Sequence, residues 1–373
     1  MRLKIAILIA KSPGALSRIL LRKSGETIPG LVLLIIYPKA ITELAKNRKI
    51  ICVSGTNGKT STTKALVTII SKLGSVTTSP TGSNLDRGVA TALMRKSDYA
   101  VLEVDELHLS RVINEAKPAL VLLLNLTRDQ LHRMHEVKRV AERWATSAKG
   151  APNTLFVGDI DDPFVALALS AATQSHSVSF GGRKHLDGAV CPSCGKYLKW
   201  SKNNFKCSCG LTNTSPDELF ESGTAALRNA TLANVAGKLL GGKAIAIDEK
   251  SLERSVDREY KGVKANLRLT KNPASWGEAL NSVVGDDVVL IVNSREVDGI
   301  DTSWLWDISF AQLQGKRVVV CGERGLDIAY RLHVEGIEAE VTSNFADAIS
   351  KFSSGSSVHV LAAYTAFHEL VNS

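Results

Sequence analysis

The feature that most constrains this chain is Ile50-Ile51-Cys52-Val53-Ser54-Gly55-Thr56-Asn57-Gly58-Lys59-Thr60-Ser61. Its apolar, largely β-branched opening reads as a buried strand. Two glycines then open a loop, and Thr60–Leu73 carries the pattern of a helix. Backbone N–H groups in such a loop converge on an anion, helped by the positive end of the helix. The strand must therefore lie in a sheet with the helix on one of its faces, which places the chain in the α/β class.

The loop also specifies chemistry. Gly55 and Gly58 let backbone approach a phosphate closely, Lys59 offsets β/γ-phosphate charge, and the Thr60 hydroxyl suits Mg²⁺. Thr56, Asn57 and Ser61 complete the cradle. Val53 stands where the first glycine of G-x-x-x-x-G-K-[ST] belongs, so the match is imperfect. The expected ligand is ATP.

Tyr99–Val104 and Ala119–Asn125 read as further apolar strands and Arg139–Ala148 as a helix. Uninterrupted apolar strands alternating with helices predict a mostly parallel sheet covered on both faces. Carboxylates at the carboxyl end of such a strand face the ligand crevice. Glu103 is thus a candidate Mg²⁺ ligand, with Asp105 and Glu106 as helpers or as a solvated acidic loop. The next strand delivers Asn125, Arg128 and Asp129 to the same edge, although Asp129 taken alone also suits a helix cap.

With 373 residues the chain exceeds one ordinary core. Residues 1–47 form a basic leading segment, 48–250 a central ATP-binding domain and 251–373 a smaller α/β domain. The boundary is drawn in the charged stretch Glu249–Lys264, before strands Asp286–Asn293, Arg317–Cys321 and Val358–Ala362. The 44% hydrophobic content excludes wholesale disorder, and the charge of +9 favours anionic partners. The apolar runs Ile5–Ala10 and Leu31–Tyr37 fall short of the ~20 residues that cross a bilayer. A cytoplasmic protein with peripheral contact at the inner membrane face is expected.

Cys191-Pro192-Ser193-Cys194 and Cys207-Ser208-Cys209 set two doublets 12 residues apart, inside a polar insertion at about 187–213. Four thiolates on two knuckles can close a structural Zn²⁺ site, a zinc ribbon. Lys196, Lys199, Trp200, Lys202 and Lys206 give such a ribbon the charge of a nucleic-acid contact, but nothing else in the chain resembles a nucleic-acid module. Cys52 and Cys321 read as buried small hydrophobes.

Ser54–Thr60 resembles the short ATP loop of the Mur ligase superfamily. The resemblance narrows to its MurT branch, the synthetase subunits of lipid II isoglutaminyl synthases. It rests on Gly25–Gly30, Glu103–Glu106, Asn125–Leu131, the cysteine cluster, Lys271-Asn272-Pro273, Asp298–Asp307, Gly322-Glu323-Arg324 and Tyr364-Thr365-Ala366. Two departures stand out: Val256–Tyr260 replaces a Gly-Arg-x-Glu-like run, and His132 and His135 replace other residue types. The resemblance implies a Mur-ligase-like ATPase domain that phosphorylates the D-glutamate α-carboxyl of lipid II. Ammonia from a separate glutaminase subunit, GatD, then yields D-isoglutamine in a heterodimer. It also implies that an aspartate of the C-terminal domain completes the partner's Cys–His pair, either Asp301 or Asp298. Asp307 has a simple N-cap reading, and Trp304 and Trp306 read as packing or interface anchors. The rivals are a self-sufficient Mur-type amino-acid ligase and a nucleotide-binding regulator with a zinc ribbon.

Overall fold

The computed structural model describes residues 2–21, 27–80, 83–128, 137–247, 255–295, 298 and 300–372. Asp129, His132 and His135 lie outside the described residues. Two units emerge, one from residues 2–127 and 137–247 and the other from the described part of 255–372 with Arg128.

The first unit begins with helices α1 (Arg2–Leu21), α2 (Ile28–Ile36) and α3 (Ala40–Ala45). Its strands are β1 (Lys49–Ser54), β2 (Val76–Thr78), β3 (Tyr99–Glu103), β4 (Leu120–Leu123), β5 (Leu155–Asp159), β6 (Gln174–Ser179) and β9 (Glu218–Leu219). They form one parallel sheet in the order β2-β3-β1-β4-β5-β6-β9. Its helices are α4 (Lys59–Ile70), α5 (Asp86–Leu93), α6 (Leu109–Ala116), α7 (Val137–Lys149), α8 (Pro163–Ala171) and α9 (Ala225–Leu239). A separate antiparallel hairpin, β7 (Lys199–Ser201) and β8 (Asn204–Lys206), belongs to the cysteine-bearing insertion.

Ile51, Cys52 and Val53 are fully buried at the centre of the sheet, as a strand covered on both faces requires. Helices α4 and α9 close one face through Leu66, Ile69, Ala233 and Ala236. Gly237 makes that approach possible, since a Cβ there would lie 2.7 Å from Ile69 Cγ2. Because β1 sits between β3 and β4, the chain reverses direction of progress across the sheet at β1. The loops leaving these three strands therefore open at one edge, where ligands of such sheets bind.

The second unit holds β10 (Ser255–Tyr260), β11 (Val263–Leu269), β12 (Asp287–Ile291), β13 (Arg317–Cys321), β14 (Ala339–Val341) and β15 (Ser357–Ala362). Their order is β10-β11-β15-β12-β13-β14, parallel except for the β10–β11 pair. Helices α10 (Pro273–Asn281), α11 (Gly325–Val334), α12 (Phe345–Ile349) and α13 (Tyr364–Asn372) accompany it. Lys271-Asn272-Pro273 is a helix start: the Asn272 side chain accepts from Ser275 N at 3.0 Å and Pro273 opens the first turn.

The charged stretch Glu249–Lys264, in which the domain boundary is drawn, carries a hairpin from Ser255 onward that belongs to the second unit. Strand β10 is an edge strand with Asp257, Arg258 and Glu259 exposed, and it turns into β11 at Lys261 and Gly262, with φ of 52° and 80°. Such a strand is charged because its outer edge must discourage further pairing. Asp307 ends a 3-10 turn, Ser303–Asp307, and does not open a helix as its N-cap reading required. Among the described residues no helix is long and apolar enough to cross a membrane.

Candidate active site

Strand β1 delivers the glycine loop to the carboxyl edge of the first sheet, and the exit of β4 clamps it there. Asn57 N donates to Asn125 Oδ1 at 2.9 Å while Asn125 Nδ2 donates to Asn57 O at 2.9 Å. Thr56 N donates to Asn125 O at 2.9 Å, and Thr127 N donates to Thr56 Oγ1 at 3.0 Å. Gly55, at φ 143°, is needed for this approach, because a Cβ there would sit 2.9 Å from Asn125 O. Gly58, at φ 87°, meets the other wall: its Cβ would lie 1.9 Å from Asn229 Nδ2 on α9.

Lys59 opens α4 and is turned back over the loop. Its Nζ donates to Gly55 O at 2.5 Å and pairs with Glu106 Oε2 at 3.0 Å. Burial works to lower the Lys59 ammonium, but the carboxylates of Glu106, Asp105 and Glu103 outweigh it and hold the pKa above its ordinary value. Lys59 is therefore charged wherever the protein is folded near neutrality. Glu103, last in β3 and paired in register with Val53, is buried beside the loop. Thr60 and Ser61 are half-buried in the first turn of α4. The structure thus gathers Gly55, Thr56, Asn57, Gly58, Lys59, Thr60, Ser61, Glu103 and Asn125. Arg128 groups with the second unit and pairs with Asp307 at 2.8 Å.

Several supporting residues carry no local motif. Asp162 accepts from Leu126 N at 2.7 Å and lies 3.2 Å from His185 Nε2, so it fixes the β4 exit that clamps the loop. Trp144 Nε1 donates to Glu106 O at 3.0 Å, holding the turn that presents Glu106. Asp86 pairs with His108 at 3.0 Å and Arg111 at 2.7 Å just beyond that turn. Asn229 was invisible within an Ala-rich helix. Its one signal is that Arg228 and Asn229 are adjacent polar residues on a helix whose neighbours are buried.

The four sulfurs of Cys191, Cys194, Cys207 and Cys209 lie within 4.8 Å of one another. Cys191–Cys209 is 3.7 Å and Cys194–Cys207 is 3.4 Å. Tetrahedral Zn²⁺ with ~2.3 Å bonds places sulfurs about 3.8 Å apart, so the set fits, shortened second knuckle included. Gly195 and Gly210, at φ 76° and 99°, make the turns. The backbone N–H of Cys209 draws the Cys207 thiol down to about 6. Trp200 packs on Phe205 at 5.4 Å and donates to Gly188 O, so it serves the insertion's own small core.

In the second unit Asn293, Gly322, Glu323 and Thr365 meet at the carboxyl ends of β12, β13 and β15. Asn293 Nδ2 donates to Thr365 Oγ1 at 3.1 Å, and Glu323 N donates to Asn293 Oδ1 at 3.1 Å. Asp298 is tied into this edge, accepting from Thr365 N at 2.7 Å and Thr365 Oγ1 at 2.6 Å. Asp301 is exposed and accepts from Ser303 N at 2.8 Å. Trp304 packs near Trp276 at 6.2 Å, whereas Trp306 is 56% exposed beneath the Arg331 guanidinium. Cys321 and Cys52 are buried, and burial pushes both thiols up to about 12, unsuited to nucleophilic work.

A parallel sheet with a clamped glycine loop, a charged lysine and a buried carboxylate, followed by a second α/β unit, defines an ATP-dependent ligase of the Mur kind. Residues 53–214 match the family model for the Mur ligase middle domain, and residues 269–367 match that for the MurT ligase C-terminal. Lipid II isoglutaminyl synthase (glutamine-hydrolyzing) subunit MurT of Streptococcus pneumoniae is 28% identical, over 94% of this chain and 93% of that one. MurF from Acinetobacter baumannii aligns with a TM-score of 0.62 at 18% identity, over 91% of this chain and 79% of that one. MurF from Thermotoga maritima, solved with ADP, aligns with a TM-score of 0.57 at 17% identity, over 89% and 82%. The chain thus resembles the MurT ligases in both of its units and along nearly its whole length.

Proposed function

We propose that this chain amidates the α-carboxyl of D-glutamate in lipid II, using ATP and ammonia supplied by a partner glutaminase. What carries the proposal is the Lys59 ammonium held charged at the mouth of a clamped loop, in a chain that matches a MurT subunit nearly end to end. A carboxylate resists amines until one oxygen becomes a leaving group. The substrate carboxylate oxygen attacks the γ-phosphorus of ATP and ADP departs, giving an acyl phosphate. Ammonia then attacks the acyl carbon, phosphate leaves and a proton is lost, giving the primary amide. Loop N–H groups and Lys59 offset the charge on the transferring phosphoryl group. Glu103 and Thr60 would hold Mg²⁺, which would supply positive charge to offset that of the phosphates. Gly55, Thr56, Asn57, Gly58 and Ser61 would line the phosphates, with Asn125 behind them.

The test is to supply the purified protein with lipid II, ATP and ammonium and to follow substrate mass. Replacement of –OH by –NH₂ is the expected result, and an unchanged mass with full ammonium would sink the proposal. A second measurement probes the loop. Gly58→Ala forces a side chain into φ 87° and onto Asn229. Strain of about 1–3 kcal/mol should weaken nucleotide affinity by about tenfold or more, read by calorimetry.

The four cysteines would carry structural Zn²⁺. Metal analysis should give one zinc per chain, and Cys194→Ser should lose it and lower the melting temperature, because folding of the insertion is coupled to the metal. Retention of full metal content in that variant would exclude the site.

A further inference from the structure

Helices α1 and α2 pack on each other through Ala6, Ala10 and Leu33, all buried in one cluster. With that core satisfied, α1 still exposes Ile5, Leu8 and Ile9, and α2 exposes Leu31, Ile35 and Ile36. Leu8 is 71% and Ile35 70% exposed. Positions 5, 8 and 9 fall on one side of α1, so this is a stripe and not a scatter. Arg2, Lys4 and Lys11 are exposed on the same helix, and Lys39 follows α2. Across residues 1–42 there are seven Lys and Arg against Glu26 alone, a formal +6 of the chain's +9.

We infer that α1 and α2 form a docking surface for an anionic lipid bilayer, with the aliphatic side chains in the headgroup–acyl boundary and the cations at phosphate level. Basic residues flanking exposed aliphatics on a helix too polar to span are the pattern of an interfacial anchor. A second copy of the chain fits the face poorly, because a two-fold contact would set this basic set against itself. The surface is also mechanically joined to the candidate site. Gly30 of α2 meets α5 at backbone distance: a Cβ there would lie 1.8 Å from Arg87 O, and Gly30 N donates to Thr91 Oγ1 at 2.9 Å. Helix α5 begins at Asp86, whose His108 and Arg111 partners follow the turn that presents Glu106. A bilayer-bound α2 would thus hold the site at the lipid surface; that last link rests on the function proposed above, whereas the surface itself does not.

The test sediments the full-length protein with vesicles of phosphatidylcholine alone, or of equal parts phosphatidylcholine and phosphatidylglycerol. Binding to the anionic vesicles that weakens as salt rises is expected, with little binding to the neutral ones. Lys4→Gln with Lys11→Gln should lower anionic partitioning by about fivefold per residue. Leu8→Ser with Ile35→Ser should lower it by about tenfold per residue, and both pairs are exposed, so melting temperature and nucleotide binding should match the parent. Absence of vesicle binding, or variants that bind like the parent, would overturn the inference. So would a change in self-association by sedimentation velocity without a change in vesicle binding, which reassigns the face to a second copy. A water-soluble short-chain analogue of the substrate separates the two readings. If it is amidated while vesicles are ignored, only the lipid surface falls. If vesicles are bound but it is never amidated, the function falls and the surface stands.

Discussion

Lys59→Ala should lower ATP-dependent amide formation by at least about 10²–10³-fold, the usual loss when one preorganised charge is taken from a transition state. The size follows from the surroundings. Lys59 is 9% exposed, kept protonated by Glu106, and held to Gly55 O at the mouth of the loop. Glu106→Gln provides the contrast. It frees Lys59 from its ion pair at 3.0 Å while leaving the lysine in place, so ADP should bind at least as tightly as to the parent. Amide formation is followed by substrate mass and binding by calorimetry. Full turnover in Lys59→Ala would remove the loop from the mechanism.

What the sequence disclosed and what it hid divide along the range of the interactions. The first strand was legible because apolar β-branched residues and glycine punctuation act over a few positions, and the observed strand, Lys49–Ser54, holds that apolar opening. The four cysteines were legible because spacing alone limits where thiolates can converge. The role of Asn229 was hidden because it exists only once α9 packs on α4 and meets Gly58, an approach set by Gly237 and Ile69. Asp162 was hidden likewise, since its local role is to cap α8 while its second oxygen serves Leu126 and His185. The β10–β11 hairpin was hidden for a different reason: an exposed edge strand and a solvated linker share a charged composition, and only Lys261-Gly262 marked the turn.

Charge and packing also separate the aspartates that the sequence could not rank. Asp298 is committed to the fold of the second unit, accepting from Thr365 twice and from Arg295 N at 3.2 Å. Asp301 is exposed and makes a turn contact to Ser303 N, so its carboxylate stands at the surface where a partner's imidazole could reach it. We propose Asp301 for the role toward the glutaminase partner of the proposed function. Asp301→Asn should cut glutamine-driven amidation by about 10³–10⁴-fold, the loss expected when the group that orients a catalytic imidazole becomes an amide. Ammonium-driven amidation should stay at the parent rate, because that reaction needs no imidazole. Asp298→Ala should instead loosen the edge formed by Asn293 and Thr365 and lower the melting temperature. The comparison is made with the proposed glutaminase partner present, with glutamine or ammonium as nitrogen source and glutamate release measured in parallel. Equal loss from both nitrogen sources in Asp301→Asn would move this residue out of the glutaminase contact and into the synthetase site.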